Sequence, residues 1–111
     1  MKRGKVYYKN ILAGIVSETN EGEYIFHYDN QYVKDYPNDF ITFTMPVRKD
    51  PYIENRLFPF FEGLIPEGWL LDIASKNWKI NQSDRMGLLL ACCQNCIGAV
   101  SVEPIPVGDG E

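Results

Sequence analysis

The sequence predicts an α+β fold, one domain in which a small antiparallel or mixed β-sheet of about five strands packs with three to four helices. Three observations predict it. Apolar residues alternate with period two through most of the first half. In the second half they recur at i, i+3, i+4 and i+7, the spacing of a helix face. A chain of 111 residues, 45% hydrophobic and 14% aromatic, is long enough for one core and too short for two.

Each element has its own local reason. Lys5 to Tyr8 and Ile11 to Ser17 flank Lys9-Asn10, a two-residue connection with one good turn former, so the chain opens on a hairpin. Asn20-Glu21-Gly22 makes the next turn. Glu23 to Asp29 follows, with Tyr24, Phe26 and Tyr28 on one face and Ile25 and His27 on the other. Asp29 to Asn38 is a loop or a single helical turn, because Tyr32, Val33 and Tyr36 fall at helical spacing before Pro37 ends it. Phe40 to Met45 alternates Ile41, Phe43 and Met45 against Phe40, Thr42 and Thr44, which predicts a strand closed by Pro46. Val47 to Glu54 is expected to be a charged loop.

Leu57 to Gly63 predicts a short aromatic helix, with Pro59 in its first turn, where the missing N–H costs little. Gly63 and Pro66 stop it. A second helix runs from about Glu67 to Trp78, with Leu70, Ile73, Ala74 and Asn77 on one side and Trp69 at the flank of that stripe. A third starts at Ser83 as N-cap, with Asp84 in its first turn, and sets Met86, Leu89, Leu90 and Cys93 on one face until Gln94-Asn95 ends it. Gly98 opens a last strand, Ala99 to Glu103. Residues 104–111 form a proline- and glycine-bearing tail expected to be flexible.

Fifteen acidic against eleven basic residues leave a net charge of −4, so the overall field repels phosphate backbones and argues against direct nucleic-acid binding. Lys2, Arg3 and Lys5 are a local exception, read as a solvated end. No window approaches the roughly eighteen uninterrupted apolar residues of a membrane span, and the start leads into a strand and not into a signal peptide's apolar region. A soluble cytoplasmic protein is expected.

Catalytic chemistry finds few candidates. Cys92, Cys93 and Cys96 are an odd number of thiols, which fits a reducing compartment. Cys93 and Cys96 spell Cys-x-x-Cys, yet a closed zinc site needs four ligands and His27 is far away in the sequence. A redox pair of this kind also needs a helix N-terminus at its first cysteine, whereas these sit at a helix end; a small thiol protein is the weakest reading. His27 is the one histidine and lies mid-strand. Glu62 and Glu67 are more simply a helix end and a helix start than an acid/base pair. No glycine-rich phosphate loop, His-Arg-Asp or Asp-Phe-Gly occurs, so no kinase pattern is present. No cofactor, metal or catalytic residue is assigned, and the chain is not expected to be an enzyme.

A surface for another protein remains. Glu67, Gly68, Trp69, Leu70 and Leu71 have the composition of an interface hot spot, a large rigid aromatic with apolar neighbours after a Pro-Glu-Gly turn. Spacing alone leaves Trp69 either as such an anchor or as a ring packed on its own sheet. Trp78 reads as core.

Several of these segments together resemble a known family. Val6-Tyr7-Tyr8 through Ala13-Gly14, Tyr24 to Tyr28, Phe43-Thr44-Met45-Pro46, Phe58 to Gly68, Leu88-Leu89-Leu90 and Gly98-Ala99-Val100 are similar to the N-terminal subdomain of HipA-type toxin kinases, over residues 4 to 104. Phe60-Phe61-x-x-Leu64-Ile65-Pro66-Glu67-Gly68 and Ile97-Gly98-Ala99-Val100 are the most specific parts; Gln94-Asn95-Cys96 departs from the acidic or glycine residues common there. A module of this kind without the kinase core looks like the small component of tripartite HipB–HipS–HipT toxin–antitoxin systems. The resemblance implies a separate HipT-like serine/threonine kinase toxin as partner, a HipB-like DNA-binding protein in a ternary complex, and suppression of the kinase, with Trp69 at or in its active-site cleft. The alternative is the N-terminal subdomain of a full-length HipA-like kinase.

Overall fold

The computed structural model describes residues 2–65, 84–92 and 99–105. In chain order the elements are β1 (Lys2–Tyr8), β2 (Ile11–Glu18), β3 (Tyr24–Tyr28), α1 (Asn30–Asp35), β4 (Tyr52–Glu54), α2 (Pro59–Glu62), α3 (Arg85–Cys92) and β5 (Val100–Ile105). The five strands form one wholly antiparallel sheet in the order β4-β3-β2-β1-β5. Four strands meander, and the last returns to the free side of the first. With its three described helices the domain is an α+β fold, as the periodicities predict.

The opening hairpin turns at Lys9 and Asn10 with φ of 51° and 68°, the double left-handed conformation whose twist matches paired strands. The second hairpin turns through Gly22, at φ 85°, with Thr19 and Glu23 closing it. Alternation then sorts the side chains. Val6, Val16, Phe26, Tyr28, Val100 and Val102 face the helices and are buried, while Lys5, His27, Ile53 and Glu103 face the other way and are exposed.

The helices settle on this one apolar face. Phe61 of α2 meets Phe26 at a centroid distance of 5.7 Å, and Tyr32 of α1 stacks on Tyr28 at 6.0 Å. Leu90 of α3 lies over Gly4, where an added Cβ would come within 2.5 Å of Leu90 Cδ2 and 2.9 Å of Val102 Cγ1. Gly14 allows an equally close approach between β2 and β3. A Cβ there would strike the His27 carbonyl oxygen and stand 3.0 Å from Tyr28 Cα.

Three expectations need correction. Residues 40–45 are not a strand. Ile41 and Met45 are buried at 6% and 3% exposure whereas Phe43 is 86% exposed, so the inward residues are four apart and not two. The reason is hydrogen bonding: the Ile41 amide donates to the Tyr28 hydroxyl at 3.2 Å and the Met45 amide to the Thr42 carbonyl at 3.1 Å, leaving no ladder for a neighbour. The fourth strand lies instead at Tyr52–Glu54, inside the expected charged loop, pairing Tyr52 with Phe26 and Glu54 with Tyr24. Finally, α3 begins at Arg85, so Asp84, expected in its first turn, caps it, while Ser83, the expected cap, lies outside the described residues. The Gly87 amide donates to Asp84 Oδ1 at 3.0 Å and the Leu88 amide to the Asp84 carbonyl at 3.0 Å. The face of α3 shifts accordingly: Leu88 is buried with Met86 and Leu89, and Leu90 is only half-buried.

Other elements follow the pattern closely. Asp29 caps α1, accepting from the amides of Gln31 and Tyr32. Pro59 is the first residue of α2, and Gly63 ends it in ordinary right-handed geometry at φ −67°. The last strand runs on through Pro104 and Ile105, which pair with Gly4 and Arg3, two residues into the predicted tail.

The path from α1 to β4 is held by tyrosine hydroxyls. Tyr28 donates to the Met45 carbonyl besides accepting from Ile41, Tyr32 donates to the Asp39 carbonyl at 2.6 Å, and Tyr52 donates to the Pro46 carbonyl at 2.6 Å. Burial pushes the Tyr28 and Tyr32 phenols up to about 12, so both stay protonated donors. Replacing Tyr28 by Phe leaves the Met45 carbonyl and the Ile41 amide unpaired and is expected to lower stability by about 2 kcal/mol in urea unfolding. Gly14→Val is expected to cost at least about 3 kcal/mol, because backbone and not a side-chain tip stands in the way; a thermal melt matching wild type would refute the close approach.

Candidate functional site

The sequence places partner binding at Glu67, Gly68, Trp69, Leu70 and Leu71, which lie outside the described residues, as do Trp78, Cys93 and Cys96. The described residues show what frames that segment on its two flanks. On one side α2 ends and Ile65 is buried at 2% exposure, behind Phe61 in the core. On the other, α3 begins at its Asp84 cap.

Two ion-pair systems hold these flanks. Glu62 and Arg85 join α2 to the first turn of α3. Arg85 Nε donates to both Glu62 carboxylate oxygens at 3.0 and 3.1 Å, with a second guanidinium nitrogen 3.0 Å from Oε1. Glu62, weighed as one half of an acid/base pair, is thus a structural carboxylate tied to a guanidinium. The second system runs across the sheet end. Lys2, Glu18 and Tyr24 are successive cross-strand neighbours on β1, β2 and β3. Lys2 Nζ reaches Asp84 Oδ2 at 2.5 Å and Glu18 Oε1 at 4.0 Å, and the Tyr24 hydroxyl donates to Glu18 Oε2 at 2.6 Å. Lys2, read in the sequence as part of a solvated end, in fact fastens the cap of α3 to the sheet.

The electrostatics follow from this wiring. Partial burial of the Asp84 carboxyl works to raise its pKa, but the Lys2 ammonium and the Gly87 amide, which bind the ionised form, bring it below the usual carboxylate value. The Tyr24 phenol is pushed up to about 12 by burial and by its hydrogen bond to Glu18. Both effects favour the state in which Lys2 and Asp84 are charged and Tyr24 is neutral.

Elsewhere the described surface offers structure and no reacting groups. His27 Nε2 lies 2.9 Å from the Lys49 carbonyl oxygen, an exposed side chain that joins β3 to the loop before β4. Among the described residues no three His, Cys, Asp or Glu side chains gather to hold a metal ion, and no buried side-chain nitrogen or oxygen lacks a partner. No described helix is long and apolar enough to cross a membrane.

Sequence reasoning missed one surface feature. Phe43, read as one face of a strand, stands out from the tyrosine-held loop with Phe40 behind it at 5.2 Å. Beside it, Thr44, Met45, Tyr52, Glu54, Phe58 and Phe60 line a shallow groove of about 200 Å³. The sequence carried a partial signal: Pro37 and Pro46 bracket the segment, which suits a loop as well as a short strand.

The comparisons agree with this architecture. The family model of the HipA N-terminal domain matches residues 4–103. An uncharacterized protein of Haemophilus influenzae is 31% identical over 103 residues, which is 93% of this chain and 92% of that protein. Among solved structures the chain is similar to the N-terminal domain of HipA toxin, with a TM-score of 0.72 and 26% identity, covering 96% of this chain and 95% of that one.

The Asp84 linkage has a signed consequence. Its pKa is lower folded than unfolded, so its contribution is complete above the ordinary value of 3.8 and disappears as pH falls through the depressed one. The stability gap between wild type and Asp84→Asn is therefore expected to be constant from about pH 5 to 7 and to close below about pH 4, read from urea midpoints across that range.

Proposed function

The chain belongs to the HipA N-terminal domain family, and from that membership we propose that it acts as a HipS-like antitoxin that binds a HipT-like serine/threonine kinase toxin and occludes its active site. The matched module is the N-terminal domain and not a kinase domain. A protein of this kind suppresses its partner by contact and without chemistry of its own.

One observation carries the reading. The Haemophilus influenzae relative is matched over 92% of its own length, so a module of this size occurs as a separate protein and not only as the leading part of a kinase. That favours a free antitoxin over the N-terminal subdomain of a full-length HipA-like kinase.

The physical argument for inhibition rests on the frame around residues 66–83. Glu62–Arg85 and Lys2–Asp84 tie the flanks of that segment to each other and to the sheet. Ordering two distant chain ends costs conformational entropy, and here the folded domain has already met that cost before any partner arrives. Trp69, with Glu67, Gly68, Leu70 and Leu71, is the proposed contact, its indole entering or bordering the kinase cleft. A HipB-like DNA-binding protein completes the ternary complex, and the net charge of −4 is in keeping with leaving DNA contact to that component.

Co-expression with the neighbouring open reading frames, and with any HipT-like kinase they encode, tests this directly. Wild type is expected to restore colony formation and to co-purify with the kinase. Trp69→Ala is expected to weaken the pairing by about 2 kcal/mol or more, roughly a thirtyfold loss of affinity, with the fold intact by circular dichroism. Unchanged rescue and unchanged affinity would remove Trp69 from the interface, and a kinase that wild type neither binds nor silences would remove the antitoxin reading.

A further inference from the structure

The basic side chains of this domain differ in what holds them. Lys2 is paired with Asp84 and Arg85 with Glu62, Lys9 lies 5.3 Å from the centre of the Tyr8 ring, and Arg48 stacks 3.7 Å from that of Tyr52. The ammonium groups of Lys34 and Lys49 have no hydrogen bond, ion pair or ring contact among the described residues. Both lysines line one cavity of about 350 Å³, between α1 and the loop that precedes β4. Its other described lining residues are Asn30, Gln31 and Val33, so no carboxylate is among them. The volume falls at the lower end of the ~300–1,000 Å³ typical of small-molecule sites.

The backbone around this cavity is fixed before any ligand arrives. Asp29 accepts from the Gln31 and Tyr32 amides, so those first-turn donors of α1 are already satisfied and a ligand meets side chains instead. Tyr32 stacks on Tyr28 and donates to the Asp39 carbonyl, which seats α1 on the sheet. On the other wall, the Lys49 carbonyl oxygen lies 2.9 Å from His27 Nε2, and Arg48 donates to the Asp50 and Pro51 carbonyls at 3.1 and 3.0 Å. The chain is thus tied down on both sides of Lys49. The acids of α1 are engaged too, Asp29 by the helix amides and Asp35 by the Gln31 carboxamide at 3.0 Å.

We propose that this cavity binds a phosphate-class oxyanion, held by the Lys34 and Lys49 ammoniums with the Asn30 and Gln31 carboxamides as neutral donors. Each ammonium offers three N–H donors, and an oxyanion accepts from all sides. Two like charges facing one cavity repel each other, and an anion between them turns that repulsion into attraction. The net charge of −4 does not prevent it, because charges beyond about 8 Å are largely screened at physiological ionic strength and the local pair decides. The volume leaves room for what carries the phosphoryl group, a nucleotide or a phosphorylated side chain. The site stands apart from the antitoxin reading, because it is built on α1 and the loop before β4.

NMR titration of the full chain with inorganic phosphate, at constant ionic strength made up with chloride, tests it. Saturable shifts are expected at Asn30, Gln31, Val33, Lys34 and Lys49, half-complete on the order of 1 mM, the weak end of the affinity scale. Lys34→Ala and Lys49→Ala should each weaken binding about tenfold or more while leaving the melting curve in place, since both side chains are exposed and unpaired. Lys5→Ala, which removes an exposed charge from the sheet, should bind as wild type does. Parallel titrations with ATP and with O-phosphoserine identify the source. Tighter binding of the first names a nucleotide, of the second a phosphorylated side chain, and of neither the free ion. Shifts that grow linearly without saturating, shifts spread over every lysine, or Lys34→Ala and Lys49→Ala variants that titrate like wild type would each overturn the proposal.

Discussion

The Tyr28 hydroxyl is buried between a sheet and a loop that has no partner strand. A phenol in that position must donate and accept, and it does both, to the Met45 carbonyl and from the Ile41 amide. Its ring meets Phe26 edge-on at 4.8 Å and carries Tyr32 of α1 on its other side. One residue of β3 therefore connects the core, the first helix and the 37–47 crossing. From that crossing the chain enters β4 beside Phe26 and then α2, whose Phe61 returns to Phe26. Without the two hydroxyl bonds, the loop that delivers β4 and α2 to the sheet would leave polar backbone buried and unpaired.

The second half depends on a comparable economy of contacts. α3 crosses β1 and β5 at Gly4, where no side chain intervenes, and its N-terminus is fixed by Asp84 in two directions: inward to its own Gly87 amide, outward to Lys2. Partly exposed ion pairs are individually modest, near 1 kcal/mol or less. Their value lies in position. Glu62–Arg85 and Lys2–Asp84 stand on the two flanks of the segment to which the proposed antitoxin contact belongs, so strength there matters less than geometry. The sheet and these pairs thus fix the two points between which residues 66–83 run.

The strands with strong alternation, both hairpin turns, a helical turn or loop within residues 29–38 and the Pro59 helix could all be read from the residues, because each rests on contacts within a few positions of itself. Residues 40–45 misled because Ile41, Phe43 and Met45 satisfy the period-two pattern while the backbone pairs with a tyrosine side chain from 13 positions earlier. β4 escaped because three residues, Tyr52 to Glu54, are too few to establish a period, and only Phe26 and Tyr24 across the sheet make them a strand. Ser83 reads as the cap of α3 with Asp84 in the first turn, whereas Asp84 holds the cap position, fastened by Lys2 from 82 positions away. For the candidate site, the residue composition around Trp69 was legible, and the family was read from several separate segments, whereas the ion pairs that frame the site join residues 23 and 82 positions apart and leave no local trace.

By itself the sequence determined the fold class, the one-sided apolar sheet, the turns and the family, since periodicity, turn chemistry and motif order are properties of neighbouring residues. Only the tertiary structure decided that Phe43 points outward, that the fourth strand lies at residue 52 and not at 40, and that Lys2 reaches α3. Each of those outcomes turns on a hydrogen bond or ion pair between residues far apart in the chain, and such a pair forms only after the chain has closed the loop that brings its two ends together.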